Sequence, residues 1–259
     1  MKKALITGGS SGIGFALSEH FAEAGYALLW VSESESQLRE AVLRMQERFP
    51  STRIDSLCID LTVLDNCDQV YAWALGLGGV DVLVNGAGFG TFGKLHETDL
   101  NVELQMIRLH VFATYKLTRL FTEHMLQQGM GKIGNIASNT VLQPVPFMAT
   151  YAATKSFVSQ FSYSLHEELK GTGVTVTTVI PPATPGTGFQ QVAQMDGVRT
   201  FGGLLATSVD EVARLAFAAI MRGDRLCFAS RKLRWTRPFA ALLPHKLIQK
   251  LIRWELGKV

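Results

Sequence analysis

The chain has 259 residues, of which 47% are hydrophobic and 18% charged, with a formal net charge of +3. That balance is globular and far from the disordered regime, within the range of a single α/β unit. Three widely spaced cysteines, Cys58, Cys67 and Cys227, without a C-x-x-C pair, argue against a disulfide framework or a metal site and predict a reducing, cytoplasmic setting.

The positive charge is local. From Arg231 to Val259 eight basic residues stand against Glu255, so the preceding body carries −4, which gives no case for nucleic-acid binding. The opening "MKKALITGGSSG" is too short in its apolar part for a signal peptide, and no run approaches the ~20 apolar residues that span a bilayer.

In chain order, "KALITGG" predicts a first strand that ends in glycine, followed by a helix through Ile13, Leu17, Phe21 and Ala24. "YALLWVS" predicts a second strand, "SESESQLREAVLRMQERF" a helix with an acidic start, and "RIDSLCIDL" a third strand. A helix over Asp65 to Leu77 leads to the strand "VDVLVNGAG", and a long helix from about Asn101 to Gln128 to the strand "KIGNIAS". "TYAATKSFVSQFSYSLHEELKGTG" is a helix closed by glycines, and "VTVTTVIPP" a strand. A loop from Ala183 to about Thr207 precedes a helix capped by Ser208, and "RLCFAS" makes a seventh strand. Strands alternating with helices predict an α/β fold: one doubly wound parallel sheet of Rossmann type, residues 1–230, with a basic amphipathic extension, residues 231–259.

Three local patterns carry chemistry. "TGGSSGIG" puts Gly8, Gly12 and Gly14 at the turn after the first strand, where backbone can approach a pyrophosphate at a helix N-terminus. Glu33, nineteen residues past Gly14 at the end of the second strand, is placed to accept from an adenosine ribose. It would repel a 2′-phosphate, which favours NAD over NADP; alternatively it only begins the next helix. Asp60 either accepts from an adenine amino group or caps the helix after it. Tyr151 and Lys155, four apart, share a helix face, where the ammonium favours the ionised phenol and suits it to proton transfer.

"TGGSSGIG", "NGAG" at Asn85 to Gly88, Ser138 in "NIASNT" and Tyr151-x-x-x-Lys155 occur in one order at fitting elements. Together they resemble the short-chain dehydrogenase/reductase family over Met1 to Ser230, above all its bacterial oxidoreductases. The resemblance implies an enzyme acting on CH–OH groups with NAD or NADP. Tyr151 would be the general acid/base, Lys155 would lower its pKa and hold the nicotinamide ribose, and Ser138 would hydrogen-bond the substrate oxygen. The cofactor would lie along Gly8, Ser10, Ser11, Gly12, Ile13, Gly14, Glu33, Asp60, Leu61, Asn85, Ala87, Gly88, Tyr151, Lys155, Pro181 and either Thr184 or Thr187.

Three departures from the family stand out. His110 in "RLHVFA" takes the place of an Asn that sits on a backbone distortion and holds a water beside the lysine; an imidazole can carry the same relay or simply pack. Gly86 replaces the second Asn of "NNAG", with a small expected effect. Pro182 replaces a Gly and removes a donor near the nicotinamide.

The substrate side is apolar, with Phe89, Leu142, Phe147, Met148 and Phe189, flanked by Phe92, Met195 and Phe201. That points to a lipophilic ketone or secondary alcohol. In the extension, Leu247, Ile248, Leu251, Ile252 and Trp254 share a helical face opposite Lys246, Gln249, Lys250 and Arg253. Such a helix lies on an anionic membrane, or covers the substrate cleft or a subunit contact; the cleft or contact is the favoured reading. The long helices predict a homodimer or homotetramer. The competing reading is a dinucleotide-binding redox sensor or scaffold without turnover.

Overall fold

The computed structural model describes residues 1–195, 197–203, 206–240, 250, 252 and 256, with side chains to 235 and at those last three positions. Its seven parallel strands are β1 (Lys3–Thr7), β2 (Ala27–Ser32), β3 (Ile54–Cys58), β4 (Val82–Asn85), β5 (Gly131–Ile136), β6 (Val174–Ile180) and β7 (Leu226–Phe228). They are ordered β3-β2-β1-β4-β5-β6-β7. The chain therefore winds outward in opposite directions from β1 and β4, and their carboxyl ends open a crevice of the kind that receives ligands in doubly wound sheets.

The period of two along each strand builds two cores. Ala4, Ile6, Leu28, Trp30, Val82 and Val84 face α1 (Gly12–Glu23) and α8 (Val209–Arg222). The alternate residues Leu5, Leu29, Val31 and Leu83 face α3 (Asp65–Gly76) and α5 (Thr114–Gln128). Ser34 caps α2 (Glu35–Arg48), Asp99 caps α4 (Leu100–Ile107), and Ser208 caps α8 as its sequence position predicts. Trp30 is fully buried and donates from Nε1 to Ser18 Oγ at 2.9 Å. A Cβ on Gly9 would collide with the Trp30 ring, so the glycine turn rests directly on the core.

The predicted long helix is α4 and α5 joined by a π-helical segment, Arg108–Ala113, centred on His110. The helix carrying the Tyr-Lys pair is α6 (Ala149–Glu168). The predicted loop after β6 contains a short helix, α7 (Phe189–Val192), and a 3-10 turn, Arg199–Phe201.

The residues just beyond 230 pack on the body. α9 (Arg231–Ala240) begins with the Leu233 amide donating to Ser230 Oγ, and Leu233 packs with Ala137, Val158 and Ile180. Of the amphipathic stripe beyond it, Ile252 is described and buried; Lys246, Leu247, Ile248, Gln249, Leu251, Arg253 and Trp254 lie outside the described residues. Among the described residues no helix is long and apolar enough to cross a membrane.

Candidate active site

One cavity of about 540 Å³ opens above the carboxyl ends of β1, β4, β5 and β6. Its floor at one end is the glycine turn. Gly8 and Gly12 have φ of +72° and +53°, which side-chain-bearing residues rarely adopt. A Cβ at Gly14 would collide with the Gly8 carbonyl. Helix α1 has no side-chain cap, since Ser11 makes no capping bond, and its first residues Gly12, Ile13 and Gly14 line the cavity. These features fit a pyrophosphate.

The adjoining turn is fixed by Thr7. Its Oγ1 accepts from the Gly86 and Ala87 amides, each at 3.1 Å. A Cβ on Gly86 would lie 2.9 Å from the Thr7 carbonyl, so glycine suits this turn. Ser10 donates to Ser32 Oγ at 3.0 Å. Ser32, Glu33, Ser34 and Gln37 then line the cavity's outer end with Asp60 and Leu61. Asp60 is not the cap of α3; both its carboxylate oxygens accept from Thr62, at 2.8 Å from the amide and 2.8 Å from the hydroxyl. Among the described lining residues, the cation is Lys155, at the opposite end.

At that end Ser138, Tyr151 and Lys155 converge from β5 and α6. Burial pushes the Tyr151 phenol up to about 12, with a hydrogen bond to Ser138 working against that rise. Burial pushes the Lys155 ammonium down to about 8. Lys155 Nζ donates to the Ile136 carbonyl at 3.0 Å and sits 5.9 Å from the Tyr151 ring centre. Desolvation thus dominates at the phenol, and Ser138 supplies the opposing effect.

His110 lies behind Gly88. Its Nε2 accepts from the Phe89 amide at 3.3 Å, so the ring proton sits on Nδ1, which donates to Thr154 Oγ1 at 3.0 Å. Thr154 in turn donates to the Tyr151 carbonyl at 2.8 Å. Burial, with the Lys155 charge adding to it, holds the imidazole pKa well below its ordinary value. Both nitrogens are engaged with protein groups, and a Cβ on Gly88 would stand 2.6 Å from Nε2.

Thr184 and Thr187 both line the cavity. Thr184 Oγ1 donates to the Pro182 carbonyl at 2.9 Å and Thr187 Oγ1 to the Thr184 carbonyl at 3.0 Å, while Thr187 stands opposite Gly12. Ser11, Ile13, Ala87, Pro181, Phe89, Met148 and Phe189 also line it. Five of the sequence-predicted residues do not: His110, Phe92, Asn85, Leu142 and Phe147. Asn85 turns its amide into a buried network, donating to Asn135 Oδ1 at 2.8 Å and Thr118 Oγ1 at 3.0 Å. Leu142 is exposed, on the 3-10 turn after Ser138. Phe147 has a φ of +66° and packs its ring edge-on against Phe92. The apolar wall also contains residues that hydrophobic patterning did not place there: Val145, Val192 and Leu256.

The sheet order, the glycine turn and the Ser-Tyr-Lys cluster agree with a family assignment. The chain belongs to the short chain dehydrogenase family, whose model matches residues 2–196. Among curated relatives, the very-long-chain 3-oxoacyl-CoA reductase of Rattus norvegicus is 33% identical over 183 residues, covering 69% of this chain. The match covers only 58% of the rat protein's length. An uncharacterized oxidoreductase of Staphylococcus epidermidis is 32% identical over 203 residues, 75% of this chain and 85% of that one.

Among solved structures, the bulky-bulky ketone specific alcohol dehydrogenase from Comamonas testosteroni superposes with a TM-score of 0.77 at 27% identity, covering 98% of this chain and 95% of its own. A short-chain dehydrogenase from Sphingobium yanoikuyae in complex with NADPH gives 0.82 at 27% identity, covering 98% and 96%.

Proposed function

We propose that this chain is a nicotinamide-dependent oxidoreductase that interconverts bulky lipophilic ketones and their secondary alcohols. The observation that carries the reading is one cavity with an uncapped glycine turn at one end and Ser138, Tyr151 and Lys155 at the other. The cofactor, when bound, supplies or accepts the hydride. Ser138 donates a hydrogen bond to the carbonyl oxygen and orients it. Tyr151 is protonated throughout the neutral range, so it can give its proton to the oxygen that gains charge, which favours reduction. Lys155 holds ribose hydroxyls and neutralises the phenolate left behind. His110 holds the Phe89 backbone against α6 and acts as a positioning residue.

A lining of Phe89, Val145, Met148, Phe189, Met195 and Phe201 supports an apolar substrate. The names of the Comamonas testosteroni and rat relatives, a bulky ketone and a very-long-chain oxoacyl group, are of the same kind. Three free cysteines support a reducing compartment. A dinucleotide-binding protein without turnover is the second reading, favoured by the full engagement of His110. Incubating NADH or NADPH with aryl and branched alkyl ketones and following cofactor absorbance separates the two. Cofactor binding without oxidation by any ketone would leave only the second.

Glu33 supports NAD as the preferred cofactor. NAD is expected to bind at least about tenfold more tightly than NADP, equivalent to about 1.4 kcal/mol, because a 2′-phosphate would meet that carboxylate. Glu33→Arg should reverse the order. Titrating both cofactors into both proteins measures it, and a wild type that prefers NADP, as the Sphingobium yanoikuyae complex with NADPH would suggest, refutes the role given to Glu33.

The outer faces of the π-helical segment, α5 and α6 support a homodimer. Phe112, Tyr115 and Phe157 are exposed there, and Tyr115 and Phe157 each pack against Phe161, at 5.5 and 5.8 Å between ring centres. Phe157→Glu is expected to halve the mass read by light scattering. A monomeric wild type at every concentration would remove the proposal.

A further inference from the structure

Two residues of the C-terminal segment reach the site from about a hundred positions downstream of Tyr151. Ile252 and Leu256 are helical, four residues apart and both buried, whereas Lys250 before them is exposed. That spacing puts both aliphatic side chains on one helical face. They belong to the same apolar cluster as Met148, Tyr151, Met195 and Val198, and both line the cavity that holds the Ser-Tyr-Lys group.

We propose that Ile252 and Leu256 form part of the outer wall of the substrate pocket and set the size of the apolar group accepted beside the reacting carbonyl. The role in substrate choice rests on the oxidoreductase reading above; the wall itself does not. The apolar lining packed with this pair includes Met148, Met195 and Phe189, and methionines adapt to ligands of different shape. The aliphatic pair is the less yielding part, so it limits bulk. A carboxylate or phosphate close to the ketone would be desolvated here among apolar side chains. The favoured substrates are therefore neutral around the carbonyl, with any charged group far enough away to remain in water.

The test uses the full chain, with Ile252→Ala, Leu256→Ala and both together, against a series of neutral aryl alkyl ketones of rising bulk. The double variant is expected to move the kcat/KM ratio of the largest over the smallest ketone at least about tenfold toward the largest. A ratio within about twofold of wild type across the series overturns the proposal. A second measurement needs no turnover: p-benzoylphenylalanine in place of Leu256, photolysed in the full-length protein, with peptide mapping of the products. An intramolecular cross-link to the peptides holding Met148 or Met195 is expected. Cross-links only between copies, or only outside those peptides, overturn the wall. If the cross-link forms while no ketone is reduced, the wall stands and the oxidoreductase reading falls.

Discussion

Tyr151→Phe is expected to lower kcat for ketone reduction by about 10²- to 10⁴-fold, the range typical of a lost general acid, while cofactor affinity changes little. The ring should keep its packing against Phe189 and the edge of His110, at 5.3 and 5.8 Å between centres, so the variant should fold. What disappears is the proton at the carbonyl oxygen and the partner of Ser138. Single-turnover kinetics with saturating cofactor measure this directly, and a variant with wild-type turnover would show that the proton comes from elsewhere. The pH profile adds a check. Because burial holds His110 neutral, reduction should show no inflection near pH 6.5 arising from that ring.

Lys155→Met should abolish turnover, weaken cofactor binding and, in opposition to both, stabilise the fold. Displacement of the ammonium from 10.5 to about 8 corresponds to a desolvation penalty of about 3 kcal/mol. Methionine leaves the Ile136 carbonyl without its Nζ partner, which offsets part of this and leaves a net gain for the variant of about 1–2 kcal/mol at neutral pH. Linkage sets the sign. Below pH 8 the lysine is charged folded and unfolded, and the penalty is complete. Between 8 and 10.5 the unfolded chain binds more protons, so wild-type stability rises with pH and the advantage of methionine shrinks. Melting curves at about pH 7 and about pH 9.5 should therefore converge, from a gap of roughly 2–8 °C. A destabilised variant at pH 7 would mean that the ammonium is stabilised by groups other than that carbonyl.

Much of the fold and site is legible in the sequence because the signals are local. Strand periodicity and terminal glycines give the seven strands, and the spacings within "TGGSSGIG" and Tyr151-x-x-x-Lys155 depend on a single turn or helix. Contacts between distant segments are not legible. Nothing near Gly9 announces Trp30 above it, and nothing near Thr7 announces the amides of Gly86 and Ala87. Asn85 looks like a ligand contact because it borders the glycines, yet the pleat turns it toward Asn135. Phe147 is carried out of the cavity by its left-handed backbone, which no hydrophobic pattern encodes. The tyrosine's raised pKa depends on how deeply the helix is buried, a property of the assembled molecule rather than of the four-residue spacing.

The π-helical segment around His110 settles a problem of helical phase. Met106, His110, Ala113 and Leu117 are spaced so that an unbroken α-helix would align all four on one side. The wider turn between Arg108 and Ala113 rotates α4 by about a quarter-turn relative to α5. Met106 accordingly joins the cluster around Tyr151, while Ala113, Leu117 and Phe121 stay on the sheet. One continuous rod thus serves two cores. A one-residue deletion within 108–113 would restore ordinary winding, swing Met106 toward the sheet and take it out of the cluster around Tyr151. Single substitutions on either half can be accommodated separately, but the count of residues between them cannot change.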